Sequence, residues 1–294
     1  MANIGSILKL IRVKQWVKNG FLFIPIFFAG QIFNVEKLIM VLAGFAIYSM
    51  CASAVYVLND IRDVEADRVH PEKRKRPLAS GAVSITTGYI LYVVLLIGSL
   101  ALSYIININF FFIVVTYMVL NVAYSMGLKR ISILDLMIVS IGFVLRVIAG
   151  GVVADVPISH WLIIMTFLLS LFIVLAKRRD DLVEFAQSGK VLRESSQKYN
   201  LDFIHSILTM LSAILVTAYI IYTLSDGIRE QFSTDHLYIT SIFVIAGIMR
   251  YIQITLVENR SGFPTSILYK DRFIHVTLLG WILSFYLIIY VLKV

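Results

Sequence analysis

Residues 39–67 read IMVLAGFAIYSMCASAVYVLNDIRDVEAD, and the two parts of that stretch decide the fold. From Ile39 to Leu58 the chain is predominantly apolar and carries no charge, over about the 20 residues that a helix needs to cross the hydrocarbon core of a bilayer. From Asn59 onward it turns abruptly acidic. A second predominantly apolar run, free of Asp, Glu, Lys and Arg, extends from Ile204 to Leu224. Of 294 residues, 59% are hydrophobic and only 15% are charged, against roughly 25% charged in ordinary soluble domains. A chain of this composition is expected to be dissolved in lipid. The basic stretch from Lys9 to Lys18 leads into further apolar sequence without a convincing cleavage site, so the first span is expected to be retained.

Apolar runs divided by charged or turn-forming breaks give nine expected helices, at 20–36, 39–58, 83–106, 109–125, 132–154, 158–176, 202–224, 237–256 and 273–292. The expected architecture is all-α, a polytopic membrane bundle in a single domain, 1–294. Lipid cannot satisfy free backbone amides, and these runs are too long and too uniformly apolar for barrel strands. Short loops rich in Lys and Arg stay in the cytoplasm. Alternate segments hold Lys9, Arg12, Lys14 and Lys18, then Arg62, Arg68 and the run Lys73 to Arg76, then Lys129 and Arg130, then Lys177, Arg178, Arg179, Lys190, Arg193 and Lys198, then Arg260 and Lys270. The intervening segments hold only Lys37, Arg229 and Lys293. The expected orientation is N-terminus inside in the cell membrane, with two large cytoplasmic loops after the second and sixth helices.

Cys51 is the lone cysteine, which excludes an intramolecular disulfide and a cysteine-rich metal cluster. The five histidines show no i, i+4 pair of the kind that binds zinc. Nucleic acid is not an expected partner; the lipid bilayer is, and a homo-oligomer is left open.

The acidic stretch places Asp60, Asp63 and Asp67 at i, i+3 and i+7, on one face if the helix continues. Like charges so spaced near a membrane repel and resist desolvation. With Asn59 they make an oxygen-rich set that suits Mg²⁺, an ion held by one or two carboxylates together with waters and substrate phosphates. Lys73, Arg74 and Arg76 follow. They read equally as a topogenic anchor and as phosphate contacts, with guanidinium groups able to grip phosphate in bidentate fashion. A second cluster at the end of the sixth span, Lys177-Arg178-Arg179-Asp180-Asp181-Leu182-Val183-Glu184, puts Asp180 and Glu184 on one face. By itself it also reads as a loop of salt-bridged charges. Arg146 is a lone guanidinium in the apolar stretch from Ile131 to Val153, costly unless it faces a polar cavity or pairs with Asp135 or another buried acid. The adjacent Gly150-Gly151 pair is expected to allow close packing. Gln15, Lys18 and Asn19 share an α-helical face at i, i+3 and i+4, and Tyr124 and Lys129 stand at the inner end of the fourth expected helix.

Asn59-Asp60-x-x-Asp63-x-x-x-Asp67 followed by Arg74-x-Arg76-Pro77-Leu78-x-Ser80-Gly81 resembles the signature loop of the UbiA superfamily of intramembrane prenyltransferases. That resemblance implies nine membrane helices and two cytoplasmic acidic motifs that bind a diphosphate through Mg²⁺. A narrower likeness is to the branch that transfers phosphoribose. It rests on Lys14-Gln15-Trp16-Val17-Lys18-Asn19, Gly127-Leu128-Lys129, the stretch Asp135 to Gly151, Pro157-x-Ser159-x-Trp161 and Ala176-Lys177-Arg178. It implies transfer of 5-phosphoribose from phosphoribosyl diphosphate to a polyprenyl phosphate such as decaprenyl phosphate, on the way to cell-wall arabinan. Asn59, Asp60, Asp63, Asp67 and Asp180 are then the metal face. Gln15, Lys18, Asn19, Lys73, Arg74, Arg76, Tyr124, Lys129, Arg146, Lys177, Arg178, Asp181 and Glu184 are then the substrate contacts. The second motif is basic before it is acidic, which departs from relatives with aromatic acceptors. A prenyl-diphosphate transferase of the same fold acting on an aromatic or glycerol-phosphate acceptor is the runner-up. A transporter, the rival from another class, needs buried charges on several helices near midplane, where Arg146 is nearly alone.

Overall fold

The computed structural model describes residues 3–71, 73–188, 194–258, 267 and 270–292. Lys190, Arg193, Arg260 and Lys293, counted in the expected charge asymmetry, lie outside the described residues. The chain divides into two compact units, Met1–Leu128 with Gly142–Ile158, and Lys129–Ile141 with Ser159–Val294.

The first unit begins with α1 (Ile4–Leu10), a 3-10 segment (Val13–Phe23, the strap) and α2 (Ile24–Phe28). It continues with α3 (Val35–Arg62), α4 (Val64–Val69), α5 (Ile85–Ile106) and α6 (Ile108–Met126). Helix α7 (Leu134–Ala154) starts in the second unit and passes into the first. The second unit carries α8 (His160–Ser188), α9 (Leu201–Leu224), α10 (Asp226–Phe232), α11 (Ser241–Leu256) and α12 (Arg272–Tyr286), the last running into a π-helical turn at Leu287–Leu292.

By length and composition, eight helices among the described residues can cross a membrane. The expected helix at 20–36 is not one of them. Pro25 near the start of α2 supplies no amide for the turn before it, and Gly30 takes a left-handed φ of 69° that turns the chain. What replaces the helix is the strap, pressed against α3 and α7. A Cβ on Gly150 would collide with the Leu22 carbonyl, so the glycine there admits a backbone, while Gly151 admits the Ile158 side chain. The expected close packing at this pair is observed.

Other boundaries shift for local reasons. α3 starts at Val35 because the Asn34 side chain accepts from the Lys37 amide at 3.2 Å. α8 runs twelve residues beyond the expected end at 176, since Arg, Lys, Glu and Ala sustain a helix after hydropathy ends. Leu22, Ile26, Tyr48, Phe110 and Val114 are fully buried in the core of the first unit. Phe172, Leu175, Ile204 and Leu208 fill that of the second. Ile90, Val94 and Ile97 on α5 and Phe112 and Val119 on α6 remain exposed, an apolar surround that suits hydrocarbon.

Candidate active site

In the first unit the acidic motif sits where α3 ends. Asp63 is the junction, with φ −91° and ψ 4°, and α4 starts directly after it. The three aspartates are therefore not on one continuous helix face, as the spacing implied; they straddle a break. Asp60 and Asp67 fold inward and are only 3% and 2% exposed, while Asp63 is half-buried and has no ion-pair partner among the described residues. The repulsion expected between the carboxylates is relieved by guanidinium groups. Arg76 donates to Asp67 Oδ2 at 2.7 Å and to Asp60 Oδ1 at 3.2 Å, and Arg12 donates to Asp60 Oδ1 at 2.6 Å. Both arginines are 29% exposed. Arg12 also lies over the Tyr56 ring, 4.7 Å from its centroid.

Arg12 is the residue that sequence reasoning missed, because 48 positions separate it from Asp60. The faint signal is on α3 itself: Ser49, Ser53, Tyr56 and Asp60 recur at helical spacing and face the strap. Trp16 Nε1 donates to Ser53 Oγ at 3.0 Å, Ser53 Oγ to the Ile11 carbonyl at 2.8 Å, and Asn19 Nδ2 to Ser49 Oγ at 2.9 Å. This row holds the strap in place, with Arg12 at the acidic end.

Because the strap is a 3-10 helix, with three residues per turn, Gln15 and Lys18 share an edge and Asn19 turns away from them. The expected α-helical grouping of the three does not form. Asn19 instead accepts from Arg146 Nε at 2.8 Å. Arg146 donates further to the Gly142 carbonyl at 2.6 Å and to the Tyr117 hydroxyl at 3.1 Å, and lies against the Tyr48, Tyr117 and Phe143 rings. It pairs neither with Asp135 nor with any other acid among the described residues. Lys18 has its ammonium pushed down to about 8, first by burial and then by the charges of Arg146 and Arg12.

Of the basic run, only Arg76 reaches the carboxylates; Lys73 and Arg74 lie exposed in a short 3-10 turn. Tyr124, in the last turn of α6, is half-buried, and Lys129 is exposed in the turn after it.

In the second unit the acidic cluster lies within α8, not at a helix end or in a loop. Arg178 is 3% exposed and donates from Nε and Nη2 to Asp135 Oδ2 at 3.2 and 2.9 Å; Asp135 is fully buried. Ser195 Oγ donates to the same carboxylate oxygen at 3.1 Å. The Tyr199 hydroxyl, raised above its ordinary value chiefly by burial, accepts from the Ile133 amide. Ile133 holds φ at 67°, a strained value for a β-branched residue. Arg178 donates to Asp181 Oδ2 at 3.1 Å and Arg179 to Asp180 Oδ1 at 3.4 Å. Arg178, expected as a substrate contact, is held in place by Asp135. Lys177 and Asp180 are half-buried, and Glu184 is exposed.

As a metal site, the first motif offers only hard oxygen donors: Asn59, Asp60, Asp63 and Asp67. No three His, Cys, Asp or Glu side chains among the described residues converge as a ligand set. Mg²⁺ asks for no such cage, since one or two carboxylates with waters and phosphate oxygens suffice. Asp60 and Asp67, both within reach of the one Arg76 guanidinium, fit that requirement.

Residues 21–261 match the model of the UbiA prenyltransferase family. A decaprenyl-phosphate phosphoribosyltransferase of Mycobacterium tuberculosis strain H37Rv is 33% identical over 283 residues, 95% of this chain and 92% of that protein. Its namesake in Corynebacterium glutamicum is 31% identical, over 98% of this chain and 87% of that one. Among solved structures, a UbiA homologue from Archaeoglobus fulgidus bound to GPP and Mg²⁺ superimposes with a TM-score of 0.68 at 19% identity, over 97% of this chain and all of that one. A match across most of the chain, carried by an all-helical architecture with an acidic motif at the end of α3, places the protein in the UbiA prenyltransferase family as a multi-pass membrane transferase.

Proposed function

We propose that the protein transfers 5-phosphoribose from phosphoribosyl diphosphate to a polyprenyl phosphate, decaprenyl phosphate being the model acceptor, and releases pyrophosphate. The observation that carries this reading is the pair of buried carboxylates, Asp60 and Asp67, bridged by the half-exposed Arg76. Those carboxylates would hold a divalent cation beside a diphosphate, and Arg76 and Arg12 would have phosphate oxygens to turn to. The names of the relatives support the substrate pair. The N-terminus and the acidic motif lie on the cytoplasmic side, as the basic loops argue, and the product feeds cell-wall arabinan.

In the reaction an oxygen of the lipid phosphate bonds to the anomeric carbon while the bond from that carbon to the diphosphate oxygen breaks, and its electron pair leaves with pyrophosphate. No strong base is needed, because the attacking phosphate is already anionic. Asn59, Asp60, Asp63 and Asp67 would hold Mg²⁺, whose chemistry when bound is to stabilise charge on the departing diphosphate. The chain's own residues contribute position and charge: Arg76 and Arg12 beside the diphosphate, and the excess of basic side chains for two anionic substrates.

The deciding experiment incubates purified protein with Mg²⁺, labelled phosphoribosyl diphosphate and polyprenyl phosphates of several lengths. A labelled lipid is expected, absent in EDTA and restored by Mg²⁺ or Mn²⁺. Consumption of a prenyl diphosphate with no use of phosphoribosyl diphosphate at millimolar concentration sinks this reading in favour of a prenyl-diphosphate transferase.

A further inference from the structure

At the end of α3 opposite the acidic motif, the first unit holds a cavity of about 350 Å³. The first turn of α3, the turn between α5 and α6 and the end of α7 surround it. Met40, Ile106 and Val152 give it an apolar wall, and Glu36, Lys37, Asn107 and Asp155 give it a polar rim. Lys37 and Asp60 share α3 and stand roughly 35 Å apart at 1.5 Å of rise per residue. That exceeds a hydrocarbon core of about 30 Å, so the rim reaches the membrane surface opposite the motif.

The charges of the rim are not spent on one another. Lys37 donates to the Asp155 backbone carbonyl at 2.9 Å and to no carboxylate among the described residues. That bond caps the end of α7, where a cation is favoured, and leaves two of the three ammonium donors over. No ion pair or hydrogen bond among the described residues engages the carboxylate of Glu36 or of Asp155. Asp155 follows the C-terminal end of α7, where the helix dipole disfavours an anion, so its charge does nothing for the helix. Asn107 spends its Oδ1 on the amides of Asn109 and Phe110, which leaves its Nδ2 as a donor. On an open surface water satisfies such groups. Here they ring an apolar cavity, and Ile39, Ile105 and Ile108 beside it are exposed, a surface that suits hydrocarbon. Ligand pockets run from roughly 300 to 1,000 Å³, so the space suits a head group and not a whole lipid.

We propose that this cavity seats the head group of a phospholipid with a primary amine, of the phosphatidylethanolamine type, taken from the leaflet opposite the acidic motif. The ammonium meets Glu36 and Asp155, and the phosphate meets Lys37 and the Asn107 amide. The first carbons of the chains lie along Met40, Ile106 and Val152. Two acids and one base match a zwitterion, whereas an anionic lipid would set its charge against both carboxylates. The seat is independent of the proposed reaction and shares no residue with it.

The test uses the full chain in detergent micelles as wild type, as the double variant Glu36→Gln with Asp155→Asn, and as Lys37→Gln. Each is titrated by native mass spectrometry with short-chain phosphatidylethanolamine, chain-matched phosphatidylglycerol and glycerophosphoethanolamine. Both carboxylate changes are close to isosteric, and Asn tolerates the left-handed φ of 48° at position 155, so melting without lipid is expected to stay level. The wild type should bind phosphatidylethanolamine about 10-fold or more tighter than phosphatidylglycerol. The double variant should lose that preference, and Lys37→Gln should weaken phosphatidylethanolamine by about 10-fold. Mg²⁺-pyrophosphate binding should stay within about two-fold in both, since the acidic motif is distant. The seat is overturned if the wild type binds the two lipids alike, the mark of an annular coat, or prefers the anionic one. It is equally overturned if the double variant keeps the preference, if Lys37→Gln changes nothing, or if glycerophosphoethanolamine, which lacks the chains, binds as tightly as the lipid. Should the double variant melt lower, Glu36→Gln alone, in the exposed first turn of α3, replaces it, and an unchanged preference there overturns the seat as well.

Discussion

Two acidic clusters in this chain use the same residue types and differ in which partner is buried. At the end of α3 the carboxylates are buried, at 3% and 2% exposure, and the arginines that neutralise them, Arg12 from 48 residues upstream and Arg76 from just after α4, are 29% exposed. In α8 the arginine is buried, at 3%, and clamped by a fully buried Asp135, while its neighbours Asp181 and Asp180 reach the surface at 29% and 12%. An exposed cation over a buried acid can be exchanged for another cation, since the guanidinium is easily resolvated. A buried cation on a buried acid cannot, because each would be left uncompensated. The first cluster is thus suited to exchanging its cation and the second to rigidity.

The largest expected effect follows from the exchangeable pair. Asp60→Asn or Asp67→Asn should lower turnover by about 100-fold or more, the scale of losing one electrostatic contact to developing charge. The variants should still purify folded, as judged by circular dichroism and gel filtration. Near wild-type activity in either would break the assignment of the first cluster to metal and diphosphate. Second in size is the rigid pair. Asp135→Ala should cost about 3–5 kcal/mol of stability by stranding Arg178, read as a lowered melting temperature in detergent, and a second change, Arg178→Met, should recover part of it. If Asp135→Ala melts like the wild type, α8 and the segment at 195–199 are held some other way.

The arginines sharpen the contrast. Arg76→Gln should raise the Michaelis constant for phosphoribosyl diphosphate by about 10- to 150-fold, the loss of a charge-assisted hydrogen bond. Arg178→Gln should act chiefly on the melting temperature instead. The smallest effect is a pH dependence in the second unit. Asp271 caps α12 and is held below its ordinary value, first by the hydrogen bond from Arg250. Its folded value lies below its unfolded one, so its contribution is complete above the ordinary value of 3.8 and is lost as pH falls through the lowered folded value. Asp271→Asn should lower the melting temperature modestly at neutral pH and flatten the acid limb, so that the two profiles converge as pH falls; an identical profile would leave the Arg250 bond without energetic weight.

Most of the spans were legible because hydropathy at helical length is a local property: α5, α6, α7 and α9 begin and end within two residues of where the apolar runs place them. The first expected helix was not legible as a 3-10 strap. Its 17 residues are apolar enough for a span, and only the docking of Leu22 on Gly150 and of Trp16 on Ser53 makes the tighter coil worth adopting. The charged end of α8 was misplaced for the opposite reason, since the helix outlasts the hydropathy that announced it.

For the site, the sequence by itself determined the inventory and one juxtaposition: Asn59, Asp60, Asp63 and Asp67 lie within nine residues, followed by Arg76, and proximity in sequence enforces proximity in space. It could not determine who neutralises whom. Arg12 reaches Asp60 across 48 residues, Arg178 reaches Asp135 across 43, and Arg146 reaches Asn19 across 127. Each of these pairings depends on how the helices pack, and packing follows from the shape of the whole apolar surface, which no local spacing encodes. The break at Asp63 is of the same kind. The residues there favour a continuing helix, and what turns the chain is the inward pull of Arg76 on Asp67 together with burial of Val64 against Val57 and Leu78, contacts that exist only once the first unit has closed.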